Sequence, residues 1–334
     1  MFVNNFIYFY IGVCLLLIIF EVLWGQYIKL YNVRFKKKKI NYKKQILAFA
    51  RGTEKDIEVI RLTKELKNIN NLMAFQSAYE EISKRRDCKN YIYKILSAFI
   101  YLNIYYSQKK SNMEKAYFAY VISKDLDIEN VENINVLLET LYEFLNNDYI
   151  SCRVNAMNAI CVIGKVDNVK RGIKIISDTK KNFNSILLAN CLKSFRGDKQ
   201  VLAQELFEDF ETYEENVQIA MMMYLSEYSF VPDEKIIEKL DSNIISVNVK
   251  CEILRYFQVN LSEEIKLYLL KRLNENNMKA NDFNIKAIGT LGYYTDDEVF
   301  EFLNRLRSSE DEMILETAYR SIDKIKKNKI EVQV

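Results

Sequence analysis

A small residue returns through the second half of this 334-residue chain at nearly constant intervals. The positions are Ala156, Ala189, Ala220, Cys251, Ala287 and Ala318, separated by 33, 31, 31, 36 and 31 residues. Around each of them apolar residues recur at helical spacing, and no stretch alternates as a strand would. A small side chain lets two helices approach closely, and the apolar residues that follow continue the same face. One Pro and eight Gly in the whole chain are too few for the turns of an all-β fold. The pattern predicts an all-α chain in which two helices fill each period, stacked one pair on the next.

The first helix of most pairs opens on an acid or a hydroxyl: Asp167, Asp198, Asp233, Ser262 or Asp296. Five sites carry the Ser/Thr-x-x-Asp/Glu signal of a capping box: Thr53/Asp56, Ser111/Glu114, Thr212/Glu215, Thr295/Glu298 and Ser309/Glu312. Pro232 predicts a further helix start. Residues 55 to 125 read as four more helices in two divergent pairs. Their Tyr-rich stretch, Tyr91 to Tyr106, suits an amphipathic core as well as a binding surface. The divisions expected are 1–28, 29–52, a divergent part 53–130, repeats 131–327 and a tail 328–334.

The repeat segments carry a resemblance. Asp148, Arg153, Ala156 and Ala159 fall where HEAT repeats place an Asp, an Arg beside Val, and Ala. Ala287, Gly289, Leu291 and Gly292 are similar to the Ala-Leu-Gly ending of bacterial HEAT-like repeats. Ile186, Val217, Asn248, Asn284 and Leu315 stand in the place of the Arg elsewhere. The region from about 131 to 326 thus resembles HEAT and armadillo-type repeats. The resemblance implies a right-handed α-solenoid of antiparallel helix pairs, and a bacterial, membrane-anchored member of that class. A TPR array is the rival at this period, but its Trp-Leu-Gly-Tyr pattern and late Pro are missing.

The membrane reading rests on the other end. Residues Phe6 to Trp24 are apolar apart from Gly12, Tyr8, Tyr10 and Glu21, and roughly 19 helical residues just span a hydrocarbon core of about 30 Å. Aromatics mark both ends, at Tyr8 and Tyr10 and at Trp24 and Tyr27. A signal peptide would want a basic residue before the run and small residues after it; neither is present. Residues 29 to 51 then carry nine positive charges and no acid: Lys29, Arg34, Lys36, Lys37, Lys38, Lys39, Lys43, Lys44 and Arg51. The excess predicts a single pass with the N-terminus outside and the rest in the cytoplasm. Lys29 to Lys44 form a candidate surface for anionic lipid headgroups, or serve only as a topology signal. Taking the nine charges and Glu21 away from the net +3 leaves residues 52 to 334 at −5.

Chemistry-bearing motifs are sparse. The chain has no His, which removes Ser-His-Asp and Cys-His catalysis and His metal sites. Its six Cys are Cys14, Cys88, Cys152, Cys161, Cys191 and Cys251, without a C-x-x-C pair, and read as small buried hydrophobes. No glycine-rich phosphate loop is present. Asp209, Glu211, Glu214 and Glu215 form an acidic cluster read as a solvated loop. Of Met221, Met222 and Met223, one or two are expected to face away from the helix core, which suits an adaptable contact surface, with core filling as the commoner alternative. Lys193, Met222 and Arg255 are the candidate partner-binding residues on second helices. The reading is a non-enzymatic scaffold that holds a membrane-associated protein, with no cofactor, no metal and no nucleic acid. An envelope-polysaccharide glycosyltransferase is one conceivable client. A nucleic-acid binder fits poorly with a body at −5, and a HEAT-like enzyme similar to bilin lyases lacks a marked site.

Overall fold

The computed structural model describes residues 2–53, 58–83, 86–124, 134–179, 181–228, 231–275 and 279–331. Asp56, the side chain of Cys88 and the 130/131 boundary lie outside them. The described residues form seventeen α-helices and no strand. The first five are α1 (Phe2–Ala50), α2 (Val59–Leu66), α3 (Ile69–Glu80), α4 (Arg86–Ser107) and α5 (Asn112–Ser123). Next come α6 (Ile134–Leu145), α7 (Ile150–Ile163), α8 (Val166–Asp178), α9 (Ser185–Lys193), α10 (Lys199–Glu208) and α11 (Glu215–Tyr228). The last six are α12 (Asp233–Asp241), α13 (Val247–Val259), α14 (Glu263–Glu275), α15 (Asp282–Leu291), α16 (Asp297–Leu306) and α17 (Glu312–Glu331).

Contacts divide the chain after Thr140, inside α6. The start of α6 is tied to α4, where Asn103 donates to the Val136 carbonyl (3.0 Å) and to Thr140 Oγ1 (2.8 Å). Beyond the division, Tyr142 donates its hydroxyl to the Asn168 carbonyl (3.2 Å).

In the first unit α1 is one uninterrupted helix, and its second half packs on α3 and α4. No residue between Phe2 and Ala50 stops it, and Gly25 is tolerated in its interior. The buried side is a helical stripe that includes Tyr42 and Ile46. Residues 55 to 125 contribute four helices, α2 to α5, as the sequence predicts. Tyr91 and Tyr106 of the Tyr-rich stretch are buried, and Tyr106 stacks on Phe118 at 4.8 Å while donating to the Leu66 carbonyl (2.9 Å). Tyr101 stands exposed, so the stretch divides between core and surface.

In the second unit, α7, α9, α11, α13, α15 and α17 follow one another in contact, α7 against α9 through to α15 against α17. The intervening helices cover this row: α8 touches α7 and α10, and α12 touches α13 and α14. All six period-marking residues lie on the row. Ala156, Ala189, Ala220, Ala287 and Ala318 are buried at helix contacts, whereas Cys251 is half-buried. Row position explains the burial patterns. The covering helix α8 buries a single stripe, Val169, Gly172, Ile173, Ile176 and Ser177. α11 has neighbours on both sides and above, and buries most of its circumference, Met221 and Met222 included.

Side-chain bonds repeat at the same period. Ser194 donates to Asn158 Oδ1 (2.6 Å), Asn216 to Asn182 Oδ1 (3.0 Å), Asn248 to Glu215 Oε1 (2.7 Å), and Gln258 to Thr290 Oγ1 (3.0 Å). Each links one row helix to the next, or to the turn that leads into it, across 32 to 36 positions. Arg153, buried at the start of α7, donates to the Asn182 carbonyl (3.2 Å), and Asp148 pairs with Lys181 (2.7 Å). At Gly292 the row is tightest: an added Cβ would lie 2.8 Å from Ser321 Cβ and 2.9 Å from its Cα.

Helix starts correct several expectations. Ser111 does cap α5, accepting from the Glu114 N–H (3.3 Å). Pro232 sits at the N-cap of α12. Thr53 instead closes α1, donating to the Ala48 carbonyl (2.8 Å). Thr212 lies in a 3-10 turn and donates to the Asp209 carbonyl (2.7 Å). Asp296 is the N-cap of α16 in place of Thr295, and Asp311 caps α17 in place of Ser309, accepting from the Met313 N–H (3.0 Å). At α17 the short, charged Asp311 acceptor also takes the Ile314 N–H (3.4 Å) and displaces the hydroxyl, whereas Asp296 holds the N-cap position of α16 without a side-chain bond to it.

Candidate functional site

Three helices of the row build a groove of about 240 Å³. α9 supplies Ile186, Ala189 and Lys193, α11 supplies Met222 and Met223, and α13 supplies Glu252, Arg255 and Val259. Lys193 and Arg255 both lie four residues, about one turn, after their period-marking residue, so stacking brings them to one face although 62 positions separate them. All three candidate partner-binding residues therefore line one cavity.

Their exposure differs from expectation in one case. Met222 is buried and forms part of the floor with Ala189, while Met223 is half-buried beside it. The wide buried face of α11 takes two of the three methionines, so the adaptable thioether at the groove is that of Met223. Ile186 and Val259 leave 57% and 71% of their surface to solvent, an apolar rim that none of the described residues covers.

The charged groups are arranged in pairs. Lys193 bonds Glu227, and Arg255 bonds Glu252 at 3.0 Å. Burial pushes the Glu252 carboxyl above its usual range, with Arg255 pulling the other way. Lys286, on the next helix of the row, is lowered by burial and then by Arg255. The arrangement offers apolar contact in the middle with a cation and an anion close by, the make-up of a small recognition groove. Sequence reasoning missed Glu252, Val259 and Ile186. The available signal was register: Glu252 directly follows Cys251, and Val259 lies two turns further along the same helix.

The acidic cluster is occupied internally. Lys170 pairs with Glu205 (2.7 Å) and Asp209 (3.2 Å), Lys239 with Glu211 (2.8 Å), and Phe210 is buried. Hydrogen bonding to Glu205 raises the Lys170 ammonium to about 12. The cysteines on the row are packed: Cys152, Cys161 and Cys191 are buried, and burial pushes the Cys191 thiol up to about 12. Among the described residues, no three His, Cys, Asp or Glu side chains converge as a metal cluster would.

In the first unit, α1 is long and apolar enough to cross a membrane, and none of its apolar stretch is buried. Phe20, Trp24 and Tyr27 stack along it with ring centroids 6.0 and 5.7 Å apart. The basic residues after it fall into two groups. Lys29, Arg34, Lys36, Lys37 and Lys44 are exposed. Lys38 donates to Asn71 Oδ1 (2.6 Å), and Lys39 and Lys43 clasp the Glu81 carboxylate at 2.5 and 2.9 Å. Those two hydrogen bonds lower the Glu81 carboxyl to about 2. Lys39 and Lys43 thus serve the packing of the unit as well as any surface outside it.

No protein-family model matches the chain, and no curated protein matches it.

Proposed function

We propose that the protein is a membrane-tethered interaction scaffold. In this reading α1 spans the bilayer with the N-terminus outside, and the remainder lies in the cytoplasm. The stacked pairs of the second unit form a right-handed, HEAT-like α-solenoid whose row helices carry the binding surface. The work of the protein is to hold a membrane-associated protein, without catalysis of its own. Anionic headgroups meet the exposed basic residues of α1.

The groove on α9, α11 and α13 carries this reading. It combines an uncovered apolar rim at Ile186 and Val259 with the adaptable Met223 and charges of both signs. Tethering supports it from the other side. Two proteins confined to one membrane meet at a raised effective concentration, so a groove of modest size suffices for capture.

A photo-crosslinking amino acid at Val259 of the full chain tests the reading in the native cell membrane. One dominant adduct from the membrane fraction is expected, lost in Arg255→Glu and in Met223→Asp. The same crosslinker at Lys235, exposed on the covering helix α12, should give none. Equal adducts at both positions, or an adduct indifferent to both substitutions, would sink the scaffold reading. Replacing residues 1–28 by an unrelated transmembrane helix of the same orientation should leave the Val259 adduct intact.

A further inference from the structure

A second groove, also about 240 Å³, lies in the first unit where α1 meets the start of α3. Its walls change character along α1. Tyr27, Leu30 and Tyr31 come first, and Arg34, Phe35 and Lys38 follow, with Asn70 of α3 bonded to Tyr31. The apolar end points back along the helix toward the stretch that can cross a membrane, and the cationic end points away from it.

Three features make the polar end an anion site. No carboxylate lines the groove, and Glu81 is already held by Lys39 and Lys43 rather than by Arg34 or Lys38. Lys38 is positioned by its bond to Asn71 Oδ1 (2.6 Å), a neutral partner that leaves its charge uncompensated and its other N–H groups free to donate. Tyr31 donates to Asn70 Oδ1 (3.0 Å), which leaves Nδ2 as the donor of a side chain that lines the groove. Arg34 and Lys38 lie ten and fourteen residues beyond Trp24, roughly 15 and 21 Å along the axis. Side chains on a helix lean toward its N-terminus, which shortens both distances.

We infer that this groove holds one anionic phospholipid, its phosphate between Arg34 and Lys38 and an acyl chain against Tyr27, Leu30 and Tyr31. The inference rests on the membrane placement proposed above, and it replaces a diffuse basic collar by a single site. A free phosphate would use the cations and leave the apolar half of the groove unfilled, so the amphiphile is the better match to both ends.

The full chain, purified in detergent doped with equal phosphatidylglycerol and phosphatidylcholine, is read by native mass spectrometry. One retained phosphatidylglycerol is expected, and millimolar inorganic phosphate should not displace it. Arg34→Gln with Lys38→Gln should cut retention about tenfold or more, since each cation at the surface matters on that scale. Lys36→Gln with Lys37→Gln removes the same charge from exposed positions outside the groove and should keep the lipid. Equal loss in the two double variants, or displacement by inorganic phosphate, overturns the inference and leaves the membrane reading standing. Release of the chain from native membranes by alkaline carbonate overturns both.

Discussion

Two glycines three residues apart, Gly289 inside α15 and Gly292 at its C-cap, show how strongly a single position depends on its neighbour. Gly292 faces Ser321 of α17, and a Cβ there would meet backbone at 2.9 Å. Gly292→Ala should force the two helices apart and cost about 1–3 kcal/mol, the usual range for overpacking. Gly289 has nothing within 4 Å of its would-be Cβ and lies inside the helix. Gly289→Ala should therefore stabilise, by about 0.5–1 kcal/mol. Thermal melts of the two variants in parallel should move in opposite directions; shifts of the same sign would mean the α15–α17 approach is wrong. The sequence marks both glycines and cannot separate them, because the difference lies in what α17 brings opposite. The small residues were more legible. Five of the six are buried as their period implies, and Cys251 is the exception, half-buried with its Sγ 3.6 Å from the Asp282 carbonyl.

At the level of elements, α1 and α3 are held at one point by charge. Lys39 and Lys43 keep the Glu81 carboxyl at about 2 against an ordinary value of 4.5. A lowered acid contributes stability that is present above its ordinary value and disappears as pH falls through the folded one. The clasp should thus persist through pH 4 and fail only toward pH 2. Carbon-detected NMR of the Glu81 carboxyl should show that midpoint at low salt, moving up toward 4.5 in roughly 1 M salt because the group is exposed. A midpoint in the ordinary range at low salt would remove the clasp from the account. The change from apolar to basic at residue 28 marks a change of chemistry and not of backbone: helix continuity depends on the backbone, and nothing in residues 29 to 50 breaks it. The short hydroxyl motif misleads in a similar way at Ser309, where the carboxylate of Asp311 two residues later takes the Met313 and Ile314 N–H groups (3.0 and 3.4 Å). The groove on α9, α11 and α13 was half legible: Lys193 and Arg255 share a register, but the depth of Met222 depends on neighbours that sequence periodicity does not count.

Over the whole molecule, charge is segregated along the chain, nine cations within residues 29 to 51 and −5 beyond. A chain lacking residues 1–28 keeps Lys29, Arg34, Lys36, Lys37 and Lys44 exposed. It should bind vesicles containing anionic lipid at low salt, with about 1 kcal/mol from each cation near the surface, and come off as salt screens them. Flotation across a salt series checks this; salt-independent binding, or equal binding to neutral vesicles, would rule out an electrostatic collar. The uninterrupted α1 has one more consequence. At 1.5 Å per residue its 49 residues make a rod of roughly 74 Å with no swivel along its length. Anything rigidly fixed to its second half inherits the heading of its first half. A bilayer thinner than the apolar stretch would make the rod lean, and the lean would swing the first unit sideways like the arm of a gauge. Thickness of the surrounding lipid would then be converted into the elevation at which the unit stands, and so into which neighbours it can reach.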